Sequence, residues 1–224
     1  MIRFLLFATL IFFGFFFIVY QAVSFLLGSN SVKRMMQRDS ESLQNELSDL
    51  LESLIPLEAE EFKLLSNNPI SKKIRKGISG FNKGLLSTIY QEPIFAFALK
   101  SYKSENQELL VIKSQKKAYE LLFDGEKTKV FINDEAIGTI NRKEKLLSLD
   151  GKSIMCELVS EESGNTKVIK SMGNDLAHLN LNIVNNTNNS ERVFSLFHDF
   201  KNNIDDNVVI MTLYYILLKP KLNL

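Results

Sequence analysis

The stretch AYELLFDGEKTKVFINDEAIGTINRKEKLLSLDG, residues 118–151, decides the fold. Branched and aromatic residues recur there with the two-residue period of strands, and the runs are broken by Asp124-Gly125, Asn133-Asp134 and Asp150-Gly151. Those are residue types that tolerate positive φ and close hairpins. The spacing predicts strands at Ala118–Phe123, Lys127–Ile132, Ala136–Asn141 and Lys145–Leu149. Outward from this core, the same pattern predicts Phe95–Tyr102 and Glu108–Lys113 before it. After it come Ser153–Val159, Thr166–Lys170, Leu176–Val184 and Arg192–Phe200, with turns at Gly164-Asn165 and Gly173-Asn174. Short connections between many strands imply an antiparallel meander, which closes into a barrel or folds into a sandwich.

The last segment changes character. Asp205-Asp206-Asn207 is a helix-capping sequence, and Val208–Leu218 is apolar on every side of a helix. Eleven residues rise only ~16 Å, too short to span a bilayer, so such a helix belongs inside protein. The barrel interior is the natural place for it. A charge at Met211 or Tyr214 would then unfold the domain.

Short strands joined by Asp-Gly-type turns, then Asp199-Phe200 leading through Asp205-Asp206-Asn207 into an apolar C-terminal helix, resemble the tubby-like superfamily. The LURP-one-related and phospholipid-scramblase-like branches are the nearer likeness. Lys167-Val168-Ile169-Lys170 through Asp175-Leu176-Ala177-His178-Leu179 is similar to that family's late hairpin. The resemblance covers about Phe95 to Leu218. It implies a twelve-stranded barrel, so two more strands are expected near Gly77–Tyr90, and lipid association in some branches. It carries over no binding residue, and Leu218-Lys219-Pro220 departs from the family's usual helix ending.

The N-terminus reads differently. Phe4–Leu27 is 24 residues without a charge, long enough to cross a hydrocarbon core of about 30 Å. A cleaved signal has a shorter apolar run and a small-x-small site; here Gly28-Ser29-Asn30-Ser31 follows two leucines. The expectation is a single-pass anchor over residues 1–29. Arg3 precedes the span and Lys33, Arg34 and Arg38 follow it, which favours a cytoplasmic C-terminal domain. An outward domain would instead give meaning to the acceptor triplets Asn185-Asn186-Thr187 and Asn188-Asn189-Ser190.

Residues 30–92 read as a helical stalk and basic linker, and 93–224 as the β domain. Leu43, Leu47, Leu50, Leu51, Leu54 and Ile55 share one helical face, and Pro56 ends it. That stripe packs either on its own domain or on a partner, a second copy included. A second short helix is expected within Leu57–Ser66, closed by Asn67-Asn68-Pro69. Lys72, Lys73, Arg75, Lys76 and Lys83 then form a basic stretch. Two readings stand for it: contact with anionic headgroups, or a solvated linker face.

Apart from Arg3, the chain balances 26 basic against 26 acidic residues (27 less Arg3, and 26), which lacks the footprint of a general nucleic-acid binder. Cys156, the single cysteine, reads as a small buried hydrophobe. His178 and His198 read as strand residues without the neighbours a nucleophilic triad needs. No metal-ligand spacing is present, Asp199, Asp205 and Asp206 read as capping and turn residues, and Gly77, Gly80 and Gly84 lack a phosphate loop's ending.

The expected fold class is mainly β with α: an N-terminal transmembrane helix and helical stalk, then an antiparallel β-barrel or sandwich with a buried C-terminal helix. The expected function is a membrane-anchored, non-enzymatic binding module without cofactor or metal, meeting membrane lipids or a protein at the membrane surface. The alternative is a structural or assembly subunit of a membrane or envelope complex.

Overall fold

The computed structural model describes residues 36–76, 79–102, 106–161, 166–180, 192–198 and 204–222. The expected anchor, Phe4–Leu27, lies outside them; among the described residues no helix is long and apolar enough to cross a membrane. The acceptor triplets also lie outside them. The chain divides into two compact units, Met1–Ser42 and Leu43–Leu224. In the first, the described residues 36–42 are helical; the rest of this section concerns the second.

Among the described residues, twelve strands make one antiparallel sheet in sequence order: β1 (Ile70–Lys76), β2 (Ser79–Ser87), β3 (Pro93–Tyr102), β4 (Gln107–Lys113), β5 (Ala118–Phe123) and β6 (Thr128–Ile132), then β7 (Glu135–Ile140), β8 (Lys145–Ser148), β9 (Ile154–Ser160), β10 (Thr166–Ser171), β11 (Asn174–Asn180) and β12 (Phe194–Phe197). The ten strands expected from Phe95 onward are all present, within a few residues of their expected limits. The turn chemistry explains the agreement: Asn133, Asp134, Gly125, Gly151 and Gly173 all have positive φ.

The region assigned to a basic linker is corrected. Residues 70–87 form the β1–β2 hairpin, of which only β2 falls within the Gly77–Tyr90 stretch where further strands were expected. Lysines dilute the alternating apolar signal of β1, so its period was hidden. The helical part of this region is shorter than expected: residues 43–47, a 3-10 helix Ser48–Ser53, and α1 (Ala59–Lys63).

β1 and β12 are not strand partners among the described residues. The segment before β1 bridges at Leu65 to Thr88, just past β2, and at Ser66 to Arg192, just before β12, where Val193 N–H also donates to the Leu65 carbonyl at 2.9 Å.

Inward residues follow the strand alternation. Phe95, Phe97, Leu110, Ile112, Tyr119, Leu121, Val130, Ile140, Leu146 and Cys156 share one buried cluster with the C-terminal helix. That helix, α2 (Asp206–Leu213), continues as a π-helical turn, Tyr214–Leu218. Every residue from Val208 to Leu218 is buried, as the all-round apolar run requires. Asp205 caps it, its carboxylate accepting from Asn207 N–H at 2.9 Å.

A second apolar layer lies outside the sheet. Ala96, Ala98, Leu109 and Val111 are fully buried on the face opposite the core. Residues 43–55 cross that face. Gln44 donates to Glu120 at 2.6 Å, Asp49 pairs with Lys83 at 2.6 Å, and Ile55 N–H donates to the Pro93 carbonyl at 2.8 Å. Leu43, Leu47 and Leu54 are buried, so much of the leucine stripe packs on its own domain.

Candidate functional site

In a meander, alternate turns gather at opposite ends. The β2–β3, β4–β5, β6–β7, β8–β9 and β10–β11 turns share the end where α2 begins, here the head end. Lys117 of the β4–β5 turn pairs with Asp206, the first residue of α2, at 2.7 Å. The β7–β8 turn lies at the tail end, where the helix finishes.

At the tail end, Glu144 has φ +58 and opens the way into β8. Its two carboxylate oxygens accept from Lys167 of β10 and from Lys219, just past the helix. Glu144 and Lys167 are 14% and 12% exposed, Lys219 31%. Both ammonium groups approach the Tyr215 ring, at 5.9 and 5.2 Å from its centroid, within cation–π range. Burial alone would raise the Glu144 carboxyl, but the Lys167 and Lys219 hydrogen bonds outweigh it and hold it below its ordinary value. Burial lowers the Lys167 ammonium, assisted by Lys219 and opposed by Glu144. Burial also raises the Tyr214 hydroxyl, to about 12.

Arg142 and Lys143 stand exposed on the same turn, and Lys221 stands exposed two residues beyond Lys219. Lys167 and Lys219 thus meet the Glu144 carboxylate, with Arg142 and Lys143 beside it on the same turn and Lys221 just past Lys219. Neighbouring charges cancel in pairs: Lys145 with Glu157 at 2.7 Å, Lys129 with Asp124 at 3.9 Å. Glu126 and Glu161 stand on other turns of the same end, and the smaller excess that remains is positive.

The basic stretch singled out in the sequence is dispersed by the hairpin. Lys72 and Lys73 are exposed and, being adjacent on β1, point to opposite faces. Arg75 stands opposite Gly80 and Lys76 opposite Ser79 in the register. Lys83 is not a surface contact: it is held by Asp49 and the Glu46 carbonyl, 15% exposed. A helical or irregular chain would have kept these cations together; a strand separates them.

At the head end a concavity of about 470 Å³ is lined by Leu57, Ser114, Lys116, Lys117, Tyr119, Ile204, Asp206 and Val209. Asp206 accepts from Lys117 at 2.8 and 2.7 Å and from the Tyr119 hydroxyl at 3.1 Å. Burial, reinforced by the Asp206 charge, raises the Tyr119 hydroxyl well above its ordinary value, so it stays a donor.

Other candidates are quiet. Cys156 is buried, and burial pushes its thiol up to about 12, far from a reactive thiolate. His178 Nδ1 lies 2.9 Å from Glu161 and its Nε2 3.9 Å from Asp175; His198 is exposed. Among the described residues no group of three metal-ligating side chains gathers. Asp199 lies outside them.

Sequence reasoning missed both ends. One signal was present: Lys167 is two residues from Ile169 in β10 and so shares its inward face. Glu144, the partner of Lys167, and Lys219, the second cation on that carboxylate, are brought to it only by the fold. Comparison with family models, with curated proteins and with solved structures finds no match.

Proposed function

We propose that this chain is a single-pass, membrane-anchored, non-enzymatic binding module that recognises anionic lipid headgroups at the membrane surface, its C-terminal domain cytoplasmic. The observation that carries the reading is the excess of cations at the tail end, where Arg142, Lys143 and Lys221 are exposed around the buried Glu144–Lys167–Lys219 cluster. Each surface cation near an anionic leaflet adds about 1 kcal/mol. The charge-free Phe4–Leu27 segment would keep the domain beside that leaflet.

Twelve sequential antiparallel strands and a buried terminal helix support the tubby-like resemblance. In this reading the sheet is a barrel, its seam closed by Leu65 and Ser66 bridging to Thr88 and Arg192.

The test is vesicle flotation of the fragment Ser29–Leu224, which contains the whole second unit. The expected result is salt-sensitive flotation with anionic vesicles, no flotation with neutral ones, and loss on replacing Arg142, Lys143 and Lys221 together by Gln. Failure to float, with a fixed set of co-purifying proteins, would favour the assembly-subunit alternative. Loss on replacing Lys72 and Lys73 instead would return the contact to β1.

A further inference from the structure

We propose that the head-end concavity binds a single-chain amphiphile with an anionic head, its apolar body against Leu57, Ile204 and Val209 and its carboxylate or phosphate at Lys116. The inference goes beyond the membrane-surface reading and rests on the other end of the fold.

The volume, about 470 Å³, falls in the range of small-molecule sites, roughly 300–1,000 Å³. One wall is apolar: Val209 is 1% exposed, and Leu57 and Ile204 are half-buried, packed on the core yet open to the cavity. The other wall is polar and mostly engaged. The Ser114 hydroxyl accepts from Lys117 N–H at 3.0 Å, and Lys117 and Tyr119 are committed to Asp206. Asp206 is therefore neutralised within the wall and does not repel an anion. Lys116 is exposed on the rim and makes no hydrogen bond or ion pair among the described residues, so its ammonium is the charge left to answer a ligand.

A second depression of about 240 Å³ continues across the β4–β5 turn, sharing Ser114, Lys116 and Lys117 and adding Lys113 together with the Asp134 carboxylate. A head bulkier than a carboxylate thus has room beyond the rim, where Lys113 and Asp134 offset each other in charge. An apolar wall facing a single unanswered ammonium matches an acyl chain ending in one anion better than a sugar, whose hydroxyls the apolar wall would leave unpaired.

The test uses the full chain in lipid nanodiscs, titrated with octanoate, octyl phosphate and octanol, with empty nanodiscs subtracted. A diazirine-bearing octanoate is photocrosslinked and its adducts mapped. Expected are binding of at least one anion about tenfold tighter than octanol, the worth of one charge-assisted contact of ~1.4 kcal/mol, and adducts on Leu57, Ile204 or Val209. Lys116→Gln should weaken the anion about tenfold, leaving octanol binding and the melting temperature unchanged. Leu57→Trp should block all binding. The preference between octanoate and octyl phosphate distinguishes a free fatty acid from a phosphorylated lipid. Equal binding of all three compounds, adducts elsewhere, or indifference to Leu57→Trp would overturn the proposal.

Discussion

Replacing Glu144 by Gln tests whether the tail-end cluster fastens the helix to the sheet. The substitution keeps the shape and one acceptor oxygen, but it turns the other oxygen into an amide donor facing an ammonium and removes the carboxylate that Lys167 and Lys219 share. Breaking a fully buried ion pair from one side costs about 3–5 kcal/mol. Glu144 and Lys167 are 14% and 12% exposed, and Lys219 31%, so partial access to water reduces the cost to about 2–4 kcal/mol. For a domain of this size 1 kcal/mol shifts the melting temperature by about 2–4 °C, giving a fall of roughly 4–16 °C. Tyrosine fluorescence or circular dichroism reads it, since the chain has no tryptophan.

Adding Lys219→Met to Glu144→Gln should recover part of the loss, because one unanswered ammonium is removed with its carboxylate. The pH dependence follows in sign. Glu144 has a folded pKa below its unfolded value, so its contribution is present above the ordinary carboxylate range and is lost as pH falls through the folded pKa. The Gln variant should show a shallower acid limb. A melting temperature within about 2 °C of the parent, or a double variant weaker than both singles added, would refute the reasoning.

Met211→Asp places a charge at a fully buried position in α2; an unpaired ion there costs several kcal/mol against a total stability of about 5–15, and loss of a cooperative melt is expected. Gly138→Ala in β7 drives a Cβ into the Leu147 carbonyl of β8, so a drop of about 1–3 kcal/mol is expected in urea unfolding. Asp205→Ala removes the cap that Asn207 N–H uses and should cost about 1 kcal/mol, with Asp205→Asn close to the parent.

Where the residues carry both period and punctuation, the sequence was legible. Ala118–Phe123 is the expected strand residue for residue because Tyr119, Leu121 and Phe123 alternate cleanly and Asp124-Gly125 ends it. Val208–Leu218 was readable as buried because no polar face interrupts it. β1 was not, since Ser71, Lys72 and Lys73 give no apolar alternation and its pairing comes from the register with β2. The two ends were hidden for a further reason. Lys117 with Asp206, and Lys167 with Glu144 and Lys219, are contacts across dozens of residues; each looks like an ordinary surface charge until the meander places it on the helix.

The buried helix has a consequence for how the chain is made. Synthesis runs from the N-terminus at about 5–20 residues per second, and the segment that fills the core, Val208–Leu218, is produced after the strands it packs on. All twelve strands exist before the element their inner faces need. Until that segment emerges, those faces are open to chaperones or to neighbouring chains, and a chain broken off before Asp206 leaves them uncovered. Folding of this domain thus waits for its last core element, and a deletion that removes Val208–Leu218 removes part of the core itself.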